Sequence, residues 1–313
     1  MLRSLAPLPF RPLWLLLAGV LVVSATLVNY LHWDDRLYYW FKERHLTKGE
    51  REANIWLPGY YAALQGKPLA GLENDETSGL TFNPATRTLF TVTGKHPLLV
   101  ELSLEGEVLR RIELRGFSNP EGVEALGDGR LAIIDERKRQ LAAFWLSETD
   151  QSIDLRRLET FDLGFAEAGN KGFEGIGWDA RHQRLLLAKE RSPLGLFSLP
   201  FPGEDGAPGK LEPLSPDDLF VRDLSSVTVD PRTGHILVLS DESRLLLELD
   251  GDGKPISFIS LIGGFNGLDE GIQQAEGVTM DDDGNIYMVG EPNLFYVFRK
   301  DTREPDPWQL GRL

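Results

Sequence analysis

Residues 172–191 read GFEGIGWDARHQRLLLAKER, and four other stretches repeat their layout: ETSGLTFNPATRTLFTVTGK at 76–95, NPEGVEALGDGRLAIIDERK at 119–138, DLSSVTVDPRTGHILVLSDE at 223–242 and QAEGVTMDDDGNIYMVGEPN at 274–293. Each copy has a small-residue or Glu-Gly step, a short apolar strand, an Asp/Asn/Gly turn, a second apolar strand and a polar or acidic cluster. A unit this small cannot bury both its faces alone, so its repetition predicts a ring or a stack. The copies are anchored on Gly79, Gly122, Gly175, Ser226 and Gly277, at steps of 43, 53, 51 and 51 residues, the spacing of propeller blades.

The first copy predicts strands over 80–82, 88–92, 98–102 and 108–114, with turns at Asn83-Pro84 and Glu105-Gly106. Four strands joined by hairpin turns make one antiparallel blade. The fourth copy has its turns at 230–234 and 250–253, where glycines supply positive φ angles. An open β-sandwich is the competing architecture, but it does not call for five equivalent repeats. A sixth, degenerate blade would have to come from residues 51–75. The fifth copy, however, lacks a fourth strand after 294–298, and the segment around Tyr61 to Pro68 is its natural donor, closing the ring and removing its free edges. The expected fold is all-β: a five-bladed β-propeller. The stretch SETDQSID at 147–154 reads as a solvated hairpin insertion, and PFPGEDGAPGK at 200–210 as a loop between blades three and four.

Residues 13–31, LWLLLAGVLVVSATLVNYL, are apolar enough for a transmembrane helix, with Arg3 and Arg11 before them and Asp34 and Asp35 after them. A cleaved signal peptide is the alternative, with Ser24-Ala25 ahead of a cut. The retained-anchor reading gives a cytoplasmic N-terminus (1–12), an anchor (13–31), a juxtamembrane segment (32–50), the propeller (51–300) and a C-terminal tail (301–313). It places a single-pass chain in a bacterial inner membrane with a monomeric propeller in the periplasm or outside the cell. Trp33, Tyr38, Tyr39 and Trp40 stand where interfacial aromatics sit, or on a short helix packed against the propeller. The chain has no cysteine, which excludes disulfides, thiolate catalysis and Cys-based metal sites. Its net charge of −15, with no basic stripe, argues against a nucleic-acid partner and favours cations.

The first strand of each blade lines the central channel, so residues at equivalent starts converge on one axis. Here they are Ser78, Glu121, Glu174, Ser225 and Glu276. Three carboxylates facing one another would raise one another's proton affinity, and a hard cation relieves that cost. Glu121, Glu174 and Glu276 are therefore the expected metal ligands. Calcium suits an all-oxygen donor set better than zinc does. The structural alternative is that Glu-Gly is a bend favoured at the start of the strand. A second polar ring follows the second strand of each blade: Lys95, Asp135, Glu136, Glu190, Arg191, Asp241, Glu242 and Glu291. Together the two rings predict a ligand-binding mouth. Of five histidines only His96 lies near it, and no serine has a nucleophile-elbow sequence.

The repeats resemble the SdiA-regulated family of bacterial β-propellers over roughly residues 55–299, distantly similar to NHL-repeat propellers. The resemblance rests on SGLTFNPATRTLFTVTGK, NPEGVEALGDGRLAIIDER, NKGFEGIGWD, LLLAKERSPLGLF, DPRTGHILVLSDES and QAEGVTMDDDGNIYMVGEPNLFYVF. It implies a five-bladed propeller, an anchored or exported N-terminus and a calcium-bound site. The family name describes regulation and not an activity. The Glu-Gly steps are also similar to the calcium-ligating glutamate of gluconolactonase and paraoxonase propellers, a likeness resting on Glu121, Glu174 and Glu276. Ser78 and Ser225 depart from that pattern. The expected function is a calcium-binding module of the cell envelope that holds a small molecule or an envelope protein. The alternative is a calcium-dependent hydrolase of lactones, esters or phosphoesters, with Glu121 or Asp241 activating water.

Overall fold

The computed structural model describes residues 10–30, 32–165, 172–191, 193–201, 208–214 and 219–301. Most of the expected cytoplasmic segment, nearly all of the C-terminal tail and Lys171 lie outside them.

Five antiparallel sheets surround a common axis. Blade one is β2 (Thr77–Asn83), β3 (Thr88–Thr93), β4 (Leu98–Leu102) and β5 (Val108–Arg115), within a residue or three of the sequence expectation. Blade two is β6 (Pro120–Ala125), β7 (Leu131–Asp135), β8 (Gln140–Phe144) and β10 (Thr160–Asp162). Blade three is β11 (Phe173–Asp179), β12 (Arg184–Lys189), β13 (Gly195–Pro200) and β14 (Glu212–Leu214), and blade four is β15 (Ser226–Val229), β16 (Ile236–Ser240), β17 (Leu245–Leu249) and β18 (Pro255–Ser260). Blade five is β19 (Ala275–Met280), β20 (Ile286–Gly290), β21 (Leu294–Lys300) and, from the other end of the chain, β1 (Tyr60–Pro68). β1 pairs with β21 from Tyr60↔Lys300 to Pro68↔Leu294, so the ring closes with an N-terminal strand as expected.

The strands read as near-continuous apolar runs because both faces of each blade are covered by neighbouring blades. One buried cluster fills each of the five interfaces. Between blades five and one, for example, Leu80, Phe82, Leu89 and Val100 pack against Tyr287, Val289, Phe295 and Val297.

Two expectations need correction. The 147–154 stretch is not a free hairpin: its end forms β9 (Ser152–Asp154), a fifth strand running parallel to β5 of blade one. Ile153 there is buried, so the insertion covers an otherwise open sheet edge with a paired, apolar-centred strand. The 200–210 stretch falls in sequence between β13 and β14, the short strand that completes blade three, and not between blades three and four; its residues 202–207 lie outside the described ones.

Ahead of the propeller run α1 (Phe10–Tyr30), α2 (Trp33–Arg44) and α3 (Lys48–Ala53). Among the described residues no single helix is long and apolar enough to cross a membrane. α1 and α2 pass that test together, as a pair bent by 58°. The packed-helix reading of its aromatics holds for α2 at Tyr39, which stacks on Phe220 at 4.8 Å, while Trp33, Leu37, Tyr38 and Phe41 stay exposed. The chain after α3 is clamped by the buried Glu248 carboxylate, which accepts the Ile55 and Trp56 N–H groups at 2.8 and 2.9 Å and Ser257 Oγ–H at 2.6 Å.

Candidate metal centre at the channel mouth

The Glu-Gly steps are β-bulges. Pro120 pairs with Asp135 and Gly122 with Ile134, leaving Glu121 as the extra residue; Glu174 and Glu276 are extra in the same way in blades three and five. A bulge re-aims one side chain. Here it frees each glutamate from the ladder at the mouth of the channel. The glycine after the glutamate is required by close approach: a Cβ on Gly122 would stand 2.7 Å from the Glu174 carbonyl oxygen of the next inner strand. Blade one differs, since its bulge falls on Gly79 itself, at φ +50°. Ser78 and Ser225 turn to the backbone, donating to the carbonyls of Glu121 at 2.9 Å and Ala275 at 2.7 Å.

Among the described residues one group of three carboxylates brings an oxygen each within 4.8 Å of the others: Glu136, Glu174 and Glu190. Of the three expected ligands only Glu174 belongs to it. Glu136 is buried and held firmly, its Oε1 accepting the Gly172 N–H at 2.9 Å and its Oε2 the Asn119 side-chain amide at 3.0 Å. A side chain on Gly172 would collide with it, with a Cβ 2.7 Å from Glu136 Cγ. The bare residue 172 therefore admits Glu136 between blades two and three. Glu190 pairs with Arg191 at 3.0 Å.

The remaining carboxylates of the mouth are coupled to this group. Burial, and then the charges of Glu276, Glu190, Glu121 and Glu136, push the Glu174 carboxyl well above its ordinary range. Burial and the charges of Glu136 and Glu291 take Glu121 up to about 7. Glu276 reaches about 8 through burial and the charges of Glu121, Glu291, Asp241 and Asp223. Glu291 and Asp241 are also raised, in each case mainly by burial. The described residues give Glu121, Glu136, Glu174 and Glu276 no ion-pair partner. Such a cluster is stable only when protons or a cation neutralise it.

Other expected residues have different duties. Asp135 is buried and caps its own turn, accepting the Ser118 and Lys138 N–H groups at 2.6 and 2.9 Å. Lys95 stands 3.6 Å from Glu76. Glu242 sits at the rim between Arg191 and Arg222. His96 bonds Asp75 at 2.6 Å. Asp241 Oδ1 accepts the Ala275 N–H at 3.2 Å, which ties the start of β19 to the mouth.

Sequence reasoning missed Asn119 and Asp223. Asn119 orients Glu136, and the buried Asp223 accepts Ser240 Oγ–H and the Glu242 N–H. A signal was present: the residue three before each step is Glu76, Asn119, Gly172, Asp223 or Gln274, polar in four of five blades.

Residues 52–299 match the family model described as SdiA-regulated, and the chain belongs to that family. Among solved structures it is similar to XC5397 of Xanthomonas campestris, described as a gluconolactonase, at 13% identity over 76% of this chain and 96% of that one, with a TM-score of 0.44. It is also similar to a calcium-binding protein, regucalcin, of Agrobacterium tumefaciens (14%, 75% and 93%, TM-score 0.47) and to a chain of a nidogen/laminin complex (16%, 74% and 84%, TM-score 0.47). At such identities and TM-scores none of these assigns a residue or an activity here.

Proposed function

We propose that this member of the SdiA-regulated family is a calcium-dependent hydrolase of lactones, esters or phosphoesters, with its centre at the channel mouth. The observation that carries the reading is the meeting of Glu136, Glu174 and Glu190 within 4.8 Å, with no cation paired to Glu136 or Glu174 among the described residues. An all-oxygen, multiply anionic donor set fits calcium, which takes six to eight oxygens, and Glu121 and Glu276 stand close enough to be felt electrostatically. A calcium ion bound there would polarise a carbonyl or phosphoryl oxygen of the substrate. The chain's own part is to hold ligands rigidly and to move a proton. Gly172 and Asn119 fix both oxygens of Glu136. Glu121 and Asp241, partly exposed at the same mouth though outside the trio, are the groups assigned to take the proton from water. The Glu121 carboxyl, raised to about 7, suits a base working near neutral pH, and burial shifts Asp241 in the same direction.

The sequence predicts mutual raising among the Glu-Gly carboxylates, but burial, the largest cause at Glu121 and Asp241, comes from the fold, and it moves the balance from a passive binding module to an enzyme. The binding-module reading keeps one supporting observation: Arg191, Arg222 and Glu242 form a mixed-charge rim suited to an anionic or zwitterionic partner. Turnover on lactone, ester and phosphoester panels, with calcium and with chelator, separates the two. Hydrolysis that needs calcium and is lost in Glu174→Gln supports the enzyme; calcium binding by calorimetry without turnover supports the module; neither at millimolar calcium overturns both. For topology we propose that α1 anchors the chain in the inner membrane with the propeller outside the cytoplasm. The support is the exposed apolar surface of α1 (Trp14, Leu15, Leu16, Val20, Leu21). A chain released from membranes by alkaline carbonate would refute it.

A further inference from the structure

The end of α1 reaches the rim of the mouth. Tyr30 Oη accepts a hydrogen bond from Arg222 Nη2 at 3.0 Å, and that guanidinium lies 4.8 Å from the Tyr30 ring centroid. Arg222 is 3.1 Å from Glu242 Oε2, Arg191 bonds the other oxygen of Glu242, and Arg191 Nε is 3.0 Å from Glu190 Oε1. An unbroken run of polar contacts thus links the last residue of α1 to one of the three clustered carboxylates. Between them opens a cavity of about 420 Å³ lined by Tyr30, His32, Arg191, Arg222 and Glu242. Its lining sets two guanidiniums against the Glu242 carboxylate, with Glu190 behind Arg191, on a chain whose net charge is −15.

The setting says which anion would come here. α2 is docked on the propeller by one face, through Arg36 Nη2–H to the Ser243 carbonyl at 2.9 Å and Tyr39 on Phe220. Its other face exposes Trp33, Leu37, Tyr38 and Phe41, at spacings of four, one and three, beside the exposed apolar residues of α1. Aromatic and aliphatic side chains in that position belong at the headgroup level of a bilayer. The cavity lies at the junction of the two helices, where headgroup phosphates would be.

We propose that this rim cavity is a binding site for the phosphate of an anionic membrane lipid, which holds the channel mouth against the bilayer. Arg191 and Arg222 share their N–H groups between Glu242 and the phosphate oxygens, and the planar fork of arginine matches that geometry. Tyr30 and His32 complete the lining of the cavity from the helical side. The site rests on the membrane reading of α1 but needs no metal, so it stands or falls separately from the calcium centre. A phosphate monoester free in solution has the same chemistry and is the competing source.

The test uses the full chain in mild detergent with a calcium chelator present. Native mass spectrometry counts the lipids retained from an equimolar mixture of phosphatidylglycerol and phosphatidylcholine, and a parallel titration uses glycerol 1-phosphate. The expected result is about tenfold preferential retention of phosphatidylglycerol, lost in Arg191→Gln/Arg222→Gln and partly kept in Arg191→Lys/Arg222→Lys. If the double Gln variant loses its cooperative melt, Arg222→Gln alone must cut the preference several-fold. Equal retention of the two lipids, a preference that survives the Gln variants, or saturable glycerol 1-phosphate binding without lipid preference overturns the proposal. A chain that alkaline carbonate frees from membranes overturns it together with the anchor, whereas a firmly embedded chain without lipid preference overturns the site alone.

Discussion

Replacing Glu174 by Gln should stabilise the calcium-free protein and abolish its response to calcium, two effects of opposite sign from one substitution. Two ionised carboxylates 4.8 Å apart, the outer bound within the trio, repel by about 3.5 kcal/mol at an effective dielectric constant of 20. Glu174 takes part in two of the three pairs. Protonation caps the penalty, because holding a proton at pH 7 on a group whose ordinary value is 4.5 costs about 3 kcal/mol. Neutral Gln removes the charge, loses some hydrogen-bonding fit, and should leave a net gain of about 1–2 kcal/mol, or roughly 2–8 °C in Tm for a domain of this size. Wild-type protein should instead gain about 2.7 kcal/mol at a calcium concentration one hundred times its Kd, and the variant little. The assay is thermal melting by circular dichroism at pH 7.5, with chelator and across a calcium titration. A Gln variant that melts well below wild type in chelator would show that Glu174 is held by a stabilising partner, and the neutralisation argument would fall.

The geometry sets three further outcomes. Deleting residues 1–68 removes β1 together with the buried Ile55, Leu57, Tyr60 and Ala62, about 5–7 kcal/mol of burial in a domain worth about 5–15; gel filtration should show aggregation, and a monomeric, cooperatively melting product would disprove ring closure by that strand. Burial holds the Glu124 carboxyl, on β6 below the mouth, at about 8, so its stability contribution is complete below pH 4.5 and is lost as pH rises through 8. Glu124→Gln should therefore gain on wild type by on the order of 3–4 kcal/mol between pH 5 and pH 8, as read from urea midpoints, and equal pH slopes for the two proteins would contradict this. Gly122→Ala should cost about 1–3 kcal/mol by overpacking and weaken calcium binding as well, because its Cβ presses on the Glu174 carbonyl; calorimetry showing unchanged calcium affinity would separate bulge geometry from the site.

The fold was legible because its causes are local. Apolar strands, Asp/Gly turns and a fixed repeat length are written within each copy, and even the closing strand could be inferred from what the fifth copy lacks. β9 was not legible, since a three-residue strand added to the edge of a different blade depends on which edge is left open in space. The site was half legible for the same reason. Equal offsets in five repeats predict a symmetric ring, and Glu121, Glu174 and Glu276 do occupy equivalent bulges. The tightest cluster is nevertheless off-axis, between blades two and three. The deciding residue is Gly172, which has nothing to titrate or ligate. Three positions before the step, the other blades carry Glu76, Asn119, Asp223 and Gln274; blade three carries no side chain, and Glu136 fills that space and accepts the buried Gly172 N–H. Asymmetry in a ring of similar repeats is thus set by its smallest residue. A search for ligands alone passes over that position, whereas asking at each offset which blade leaves a gap, and whose carboxylate is long enough to enter it, leads to Glu136 and from there to Glu174 and Glu190.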